Sequence, residues 1–273
     1  MKRKIGYPDG DFEEADIEEK YRQYIMKADD YYGNKVLGHK LSKLADLATY
    51  GKPANKNKWF MPPHETDAYY GWLHNEIVFL AGIMQPPFYS EKFIPAMNYG
   101  AIGAVIGHEI MNGFDDEGKQ FDENGTFRNW WAPEDQEDFE NKTQCIVDQI
   151  SKIYIDEINM TLNGERTKAK SMDDIGGLKL AFRAYKKYVN TLAQPSRIPG
   201  LYLSRDQVFF VSFAQIFCGK YTHQGLVYLV KSGQHLPGKY RILGVLQNSE
   251  DFAKAYNCPK GSFMNPVDKC NVW

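Results

Sequence analysis

The sequence predicts a mainly α-helical fold with one small β-sheet. Apolar residues recur at helical spacing in several separate stretches, whereas the segment near residues 57–82 is rich in aromatic and β-branched residues with polar breaks. The first pattern is typical of amphipathic helices and the second of short strands. With 273 residues, of which 43% are hydrophobic, the chain is long enough to bury a substantial core.

The N-terminal part of the chain is predicted to contain helices, a loop and then the sheet. Residues 11–49 carry an apolar stripe at helical spacing and predict one or two amphipathic helices whose apolar side is packed. Residues 52–65 hold three prolines and predict a loop, and residues 67–83 predict a hairpin-like pair of strands. The apolar stripe is made by Val36, Leu37, Leu41, Leu44 and Leu47.

Residues 97–113 predict a helix that stops at Gly113. Its isoleucine and valine side chains cover one broad face at about 100° per residue. His108 and Asn112 are four residues apart and fall on the opposite side.

The C-terminal half is predicted to supply further helices. Residues 173–189 carry an apolar stripe, and Asp174 lies on that same face. Ser204 and Gln207 have capping-box spacing at the start of a helix that closes near Gly219. A short helix is predicted within residues 248–256, and the stripe of the first helix consists of Leu178, Ala181, Phe182, Tyr185 and Val189.

Charge and hydropathy exclude several classes of partner. The 33 Lys and Arg residues nearly balance the 35 Asp and Glu residues, so no field of one sign favours nucleic acid or an anionic membrane surface. No run of 18 or more apolar residues is present, and the basic start leads into a polar stretch. We therefore expect neither a membrane span nor a signal peptide within this chain.

Cysteines and glycosylation motifs favour a secreted, extracellular protein. Cys145, Cys218, Cys258 and Cys270 form an even set without C-x-x-C spacing, which suits disulfides better than a metal site. Four cysteines allow three connectivities, and four free thiols remain an alternative. Three N-x-T motifs are predicted glycosylation acceptors, at Asn124, Asn141 and Asn159.

The stretch "VIGHEIMNGFDD" is almost a zinc-peptidase motif. In H-E-x-x-H, two histidines four apart on a helix bind zinc, and the glutamate takes a proton from the metal-bound water. Here His108 and Glu109 occupy the first two positions, but Asn112 stands where the second histidine belongs. An amide oxygen is a weakly basic and therefore poor zinc ligand.

Longer blocks around this motif resemble the zinc endopeptidase family that includes neprilysin, the endothelin-converting enzymes and the Kell protein. The resemblance runs along essentially the whole chain, and its most specific blocks are "NEIVFLAGIMQPPFYS", "GAVIGHEIMNGFDDEGKQFDENG", "GGLKLAFRAY" and "HLPGKYRILGVLQNSEDFAKAYNCPKGSFMNPVDKC". It implies a thermolysin-like catalytic lobe of an ectodomain. On this basis residues 1–273 form that lobe, with a helical lead-in at 1–55 and a catalytic-type core at 56–273, and the family's N-terminal helical lobe is absent.

The resemblance also implies roles for individual residues. His108 matches the first zinc ligand and Glu109 the general base, whereas Lys170, in "AKSMDD", stands where the family has its third ligand, a glutamate. A cation cannot ligate zinc, so two of the three ligands are replaced. Asp115 matches the acid that orients the second ligand, and Asp174 matches the acid that orients the first. His235 matches a histidine that stabilises the oxyanion, and Arg241 matches an arginine that grips the substrate backbone. In the family's peptide-binding stretch, Ala68 is kept but Asp67 replaces an asparagine.

The same resemblance pairs Cys145 with Cys270. Cys218 and Cys258 then match cysteines that bridge to the N-terminal lobe. Without that lobe in the sequence, they belong to a longer protein, stay free, pair with each other or link to another chain.

Charge balance suggests a role for Lys170. Without zinc, Glu109, Asp115 and Asp174 are left without a cation, which is costly for partly buried carboxylates. Lys170 lies one turn before Asp174. If the helix extends back that far, its ammonium is placed to occupy the metal position and pair with Glu109.

These observations predict a peptidase-like protein that has lost zinc binding and proteolysis. No cofactor is expected, and the cleft is predicted to retain a peptide or protein ligand. The alternative is an active or weakly active zinc metalloendopeptidase that cleaves short peptides, using ligands such as His108, Asp174 and a further acid.

Overall fold

A computed structural model describes residues 1–8, 13–53, 55–192 and 198–273. Most of the regular structure is helical, as predicted. The helices are α1 (Glu14–Tyr21), α2 (Tyr31–Leu47), α3 (Pro95–Gly100), α4 (Ile102–Met111), α5 (Pro133–Ile150), α6 (Gly164–Val189), α7 (Arg205–Gln215), α8 (His223–Ser232), α9 (Gly238–Asn248) and α10 (Glu250–Ala255).

A three-stranded sheet stands beside the helices. The predicted hairpin is confirmed, because β2 (Ala68–Gly71) pairs antiparallel with β3 (Glu76–Leu80). Strand β1 (Lys2–Gly6) completes the sheet by pairing parallel with the other edge of β3, so the strand order is β1-β3-β2. All five residues of β3 are buried. A second, two-stranded sheet joins β4 (Tyr154–Ile155) and β5 (Met160–Thr161).

Strand β1 was not predicted. Its sequence, "KRKIG", is basic and reads as a charged terminus rather than as a strand. It is held by the ladder to β3 and by Lys4, whose ammonium lies 2.8 Å from the fully buried Glu76 carboxylate. The division of the chain at residue 55 stays a prediction, although β1 precedes that point and pairs with β3, which follows it.

The 26-residue helix α6 lies at the centre of the helical part and packs against α3, α4, α5 and α9. Its predicted apolar stripe is confirmed: Leu178, Ala181, Phe182 and Tyr185 are buried, and Val189 packs partly buried against them. A second apolar cluster lies around α5, α8 and the chain end. The central helix thus contributes to both hydrophobic clusters, Leu178 to the first and Met172 to the second.

Close contact between α4 and α6 depends on two glycines. A Cβ atom on Gly107 would lie 2.2 Å from the carbonyl oxygen of Gly177, and one on Gly177 would lie 2.5 Å from the backbone nitrogen of His108. Neither distance is sterically possible. The two helices therefore touch backbone to backbone at His108.

The helix predicted over residues 97–113 is broken at Ala101, which separates α3 from α4. Its buried side also differs from the apolar pattern: Ala104, Gly107, His108 and Glu109 are buried, whereas Ile106 is 37% exposed. The glycine contact with α6 decides which side faces inward. As a result the titratable side chains of His108 and Glu109 are buried, whereas Ile106 stays partly exposed.

One or two helices were predicted over residues 11–49, and the structure has two, α1 and α2; residues 11–12 lie outside the described part. The expected packing of their apolar side is wrong for this chain, since no residue of either helix is buried. Val36 is 50% exposed and Leu47 68%. The apolar periodicity predicted the helices correctly, but it gives no information about which part of the protein packs against them.

The C-terminal predictions hold with one shift of boundary. Ser204 and Gln207 form the predicted capping box on α7, but the helix ends at Gln215, four residues before Gly219. The short helix predicted over residues 248–256 is α10. In the described part of the chain, no helix is both long and apolar enough to cross a membrane.

Candidate functional site

A cavity of about 470 Å³ opens between the small sheet and the helices. Strand β2 with the residues before it forms one wall, α4 and α6 form the floor, and the α7 end and the α8–α9 region form the other wall. The cavity brings together all but one of the residues that the family resemblance assigned to metal binding, catalysis or substrate binding: Asp67, Ala68, His108, Glu109, Asn112, Lys170, Asp174, His235 and Arg241. The remaining one, Asp115, lies just behind Lys170.

His108 is fixed by Asp174 from the neighbouring helix. Its Nδ1 lies 2.7 Å from Asp174 Oδ1, and both residues are buried. Asp174 also accepts hydrogen bonds from Nε and Nη2 of Arg241. Although burial acts to raise it, the guanidinium of Arg241 and then His108 hold the pKa of Asp174 well below its ordinary value. Asp174 therefore stays a carboxylate and orients the His108 ring, which is the placement expected from the sequence.

Glu109 on α4 and Asn112, the residue that follows α4, form a second buried contact. Asn112 Nδ2 donates a hydrogen bond to Glu109 Oε2 at 2.9 Å. Burial raises the pKa of Glu109, against the lowering influence of His108 and Lys170. The Asn112 side chain therefore donates one of its amide N–H groups to the Glu109 carboxylate.

Lys170 points into the protein, with only 17% of its side chain exposed. Helix α6 does extend back past residue 170, as the charge-balance hypothesis required. The Lys170 ammonium donates hydrogen bonds to Asn112 Oδ1, to Asp115 Oδ2 at 3.2 Å and to Asp173 Oδ2 at 3.3 Å. The expected direct pairing with Glu109 is wrong, because Asn112 lies between them and bonds to both.

The carboxylates that hold Lys170 are fully buried. Asp115 also accepts hydrogen bonds from the backbone nitrogens of Glu117 and Gly118, at 3.0 and 2.7 Å. Burial acts to lower the pKa of Lys170, but Asp173 and then Asp115 outweigh it and raise that pKa. The ammonium is therefore charged throughout the neutral range.

Asp173 was not recognised as part of this site. Asp173 has no exposed surface, and burial followed by Asp115 raises its pKa well above the ordinary value. Its spacing of three residues from Lys170 on a helix was the available signal. Its Oδ1 atom is buried without a hydrogen-bond partner among the described residues.

The residues present do not fit a catalytic zinc site. Such a site needs three nitrogen, sulfur or carboxylate ligands in tetrahedral arrangement. Here the positions expected for the second and third ligands hold an amide and an ammonium that bond to each other. Within residues 1–8, 13–53, 55–192 and 198–273, no group of three His, Cys, Asp or Glu side chains is arranged to hold a metal ion.

His235 and Arg241 line the wall opposite the sheet. The His235 ring stacks on that of His108, with 5.8 Å between centroids, and loss of solvation together with nearby Arg241 lowers its pKa to about 4. His235 is therefore neutral at physiological pH. The Arg241 guanidinium lies 4.6 Å from the centre of the Phe217 ring. With two nitrogens bound to Asp174, it keeps only its other N–H groups for a ligand.

The sheet side of the cleft is less constrained. Asp67 is exposed, and among the described residues its carboxylate accepts a hydrogen bond only from the adjacent Ala68 backbone nitrogen, at 2.9 Å. Ala68 begins strand β2, whose one edge pairs with β3. These two residues sit at the mouth of the cavity rather than in its floor.

A disulfide joins Cys145 to Cys270, as the family resemblance implied, and ties α5 to the chain end. Cys218 is exposed and Cys258 is partly buried, and both thiols are free in this chain. Asn124, Asn141 and Asn159 are all exposed. Each is therefore sterically open to a glycan, although Asn159 accepts a hydrogen bond from Tyr154.

The helical lobe, its small sheet and the His-Glu pair on α4 define the catalytic-lobe fold of a thermolysin-like zinc peptidase. The sequence pattern of "Peptidase family M13" matches residues 67–272. The chain belongs to this family.

Relatives along the whole chain agree with the assignment. It is 44% identical to Neprilysin-2 of Caenorhabditis elegans and 39% identical to human neprilysin, covering 100% of this chain but 37% of each relative. The chain thus spans little more than a third of their length. Two solved structures are similar over 100% of this chain: Mycobacterium tuberculosis zinc metalloprotease Zmp1 with inhibitor (TM-score 0.88, 32% identity, 41% of that chain) and the Haemonchus galactose containing glycoprotein complex (TM-score 0.89, 30% identity, 45% of that chain).

Proposed function

We propose that this chain is a neprilysin-family peptidase lobe that no longer binds zinc or cleaves peptides and that retains its cleft as a site for a peptide or protein ligand. The observation that carries the proposal is the contact between Lys170 and Asn112. These residues stand at the positions of two lost ligands, and the Lys170 ammonium donates a hydrogen bond to the Asn112 side-chain oxygen.

The cation balance of the site supports loss of the metal. The Lys170 ammonium already neutralises part of the charge of Asp115 and Asp173. A Zn²⁺ ion beside it would meet like charge in a buried setting, where such repulsion is strong. Restoring zinc binding therefore requires a change at Lys170 as well as at Asn112.

The cleft keeps features that act on a ligand without a metal. Asp67 is exposed at the mouth of the cleft beside Ala68, the first residue of β2. The opposite wall offers a neutral His235 and the Arg241 N–H groups that do not bind Asp174. A cavity of about 470 Å³ is within the range of small-ligand and peptide side-chain sites. We propose that a peptide backbone lies between these walls.

The competing function is weak zinc-dependent cleavage of short peptides. It is favoured by one observation: Asp174 still orients His108 as a metal-binding histidine is oriented, with Glu109 beside it. In this case His108, Asp174 and a further acid would hold the ion, and cleavage would be sensitive to chelators.

The setting is proposed to be extracellular, as a secreted protein or an ectodomain. The disulfide between Cys145 and Cys270 and the exposed Asn124, Asn141 and Asn159 support this placement. We also propose that residues 1–273 act as one lobe and that Cys218 and Cys258 meet partners outside it. An unreduced mass measurement of the natural protein separates free thiols from bridges to another segment or chain.

The decisive experiment is zinc content after dialysis against metal-free buffer. Wild type is compared with Asn112→His plus Lys170→Glu, which restores the three-ligand pattern, and with Asn112→Gln plus Lys170→Glu, which makes the same charge change without an imidazole. We expect about one equivalent of zinc in the first double variant only.

Stoichiometric zinc in the wild-type protein would overturn the proposal and favour the peptidase. Cleavage of short peptides by wild type, abolished by a chelator, would do the same. Zinc uptake by the glutamine-containing variant would show that the lost imidazole is not what excludes the metal.

A further inference from the structure

A second cavity, of about 410 Å³, lies away from the cleft and is walled mainly by aromatic rings. Three of the five tryptophans of the chain line it. We call it the aromatic pocket; its rings belong to Phe114, Trp130, Trp131, Phe139 and Trp273. They come from the turn after α4, the segment before α5, α5 itself and the chain end.

Trp273 is the hub of the aromatic pocket. Its ring centre lies 6.1 Å from Phe114, 6.1 Å from Trp131 and 5.8 Å from Phe139, at interplanar angles between 44° and 66°. Because the rings meet at steep angles, the walls present ring faces as well as edges. Ring faces carry the negative part of the aromatic quadrupole and attract cations.

The chain end that carries Trp273 is anchored. The disulfide at Cys270 ties it to α5, and Lys179 of α6 donates hydrogen bonds to Asn271 Oδ1, at 2.8 Å, and to the backbone carbonyl oxygen of Trp273. The wall is therefore held in place before any ligand arrives, which lowers the entropic cost of binding.

The rim of the aromatic pocket has an excess of negative charge. Asp135 and Asp138 lie on its α5 side, and Asp138 pairs with Lys142 at 2.6 Å. Across the described residues, Asp135 has no ion-pair partner. Asp135 lies in the first turn of α5, where the helix dipole stabilises an acidic side chain. The dipole explains the position of Asp135 but not the aromatic rings beside it.

An ammonium already rests on two of these rings from the neighbouring side. Lys119 Nζ lies 4.2 Å from the centre of Phe139 and 5.6 Å from that of Trp131. In the part of the chain that the structure describes, no cation lies over Trp130 or Trp273. Trp130 is 44% exposed and Trp273 37%. The faces of these two tryptophans are therefore open to a ligand cation.

We propose that the aromatic pocket binds a small organic cation carrying a quaternary ammonium group. Aromatic walls offer few hydrogen-bond acceptors, so they favour a cation without N–H donors over a hydrated ammonium. The uncompensated carboxylate of Asp135 supplies charge complementarity at the rim. The cavity has room for such a group with a short tail.

The test uses choline as the probe, titrated into the whole chain and followed by calorimetry and tryptophan fluorescence. Its neutral isostere, 3,3-dimethylbutanol, has the same shape without the charge. We expect saturable choline binding and affinity for the isostere that is weaker by roughly tenfold. Equal affinity for both, or no saturation by choline, would overturn the proposal.

Variants locate the binding. Trp130→Leu is expected to weaken choline binding by about tenfold or more, and Asp135→Asn by about two- to fivefold. Glu137→Gln removes one charge from the same exposed turn of α5 outside the pocket lining and is expected to change nothing. Because Trp130 donates a hydrogen bond to Phe121, its variant is checked by circular dichroism, and Asp135→Asn carries the test if that variant unfolds. If Asp135→Asn and Glu137→Gln weaken choline binding equally, the binding follows the general surface charge and the proposal is refuted.

Discussion

Replacing Lys170 by methionine should destabilise this protein strongly. The substitution keeps the side-chain length but removes the cation from Asp115 and Asp173, both of which have no exposed surface. Removing one partner of a buried pair costs about 3–5 kcal/mol, because the remaining charge is left uncompensated. Since 17% of the Lys170 side chain is exposed, we expect the lower end, about 3 kcal/mol. For a domain of this size that corresponds to a lowering of Tm by about 6–12 °C.

The assay is thermal and urea unfolding followed by circular dichroism, with Lys187→Met as the matched control. Lys187 lies on the same helix and is exposed, so its substitution should change the unfolding free energy by less than about 0.5 kcal/mol. The comparison removes any general effect of losing one positive charge from α6.

A second variant tests the cause of the loss. If uncompensated carboxylates are responsible, adding Asp173→Asn to Lys170→Met should recover at least about 1 kcal/mol, because one buried charge is then gone. A cost below 1 kcal/mol for Lys170→Met, or no recovery in the double variant, would refute the reasoning that Lys170 balances the charge of this site.

Three further outcomes are expected. The cost of Lys170→Met should shrink as the pH is lowered from above neutral, because burial and then Asp115 already raise the pKa of Asp173 and a protonated carboxyl needs no cation; a cost that grows on acidification contradicts this. Cys145→Ala, which opens a bridge across 125 residues, should lower the unfolding free energy by about 2–5 kcal/mol, whereas Cys218→Ala, at an exposed free thiol, should leave urea unfolding unchanged. Gly177→Ala should cost about 1–3 kcal/mol or more by forcing α6 away from His108, while Gly38→Ala, whose added methyl meets nothing within 4 Å, should raise Tm slightly; equal effects of the two would exclude the backbone contact as the cause.

Local features of the fold were predictable from the sequence alone. The capping box of Ser204 and Gln207 formed where its spacing predicted, because its partners are three residues apart. The stripe of α6 and the β2–β3 hairpin also formed, since both depend on patterns within about 20 residues. The departure from H-E-x-x-H at Asn112 was likewise visible without coordinates, because that motif is defined by spacing along the chain. The match of Lys170 to a ligand position rests on the family resemblance and stays a prediction.

The family resemblance added what local patterns leave open. Among three possible connectivities it selected the disulfide between Cys145 and Cys270, which the structure contains. It also placed Asp174 against His108, a contact across 66 residues. Periodicity alone gives no distance between residues on different helices.

Other features were decided only by tertiary packing. Strand β1 formed because β3 presents a free edge to it, although its own sequence is a poor strand. Asn112 came to lie between Lys170 and Glu109, and this redirected the predicted ion pair to Asp115 and Asp173. The aromatic pocket exists only because the anchored chain end brings Trp273 to Trp131 and Phe139.

The sequence by itself determined which side chains are available and which helices and strands carry them, because those choices depend on neighbours along the chain. The tertiary structure decided which charges become partners and which polar atoms are buried. That decision depends on backbone approach at Gly107 and Gly177, where two helices far apart in sequence meet and exclude water from the carboxylates beside them.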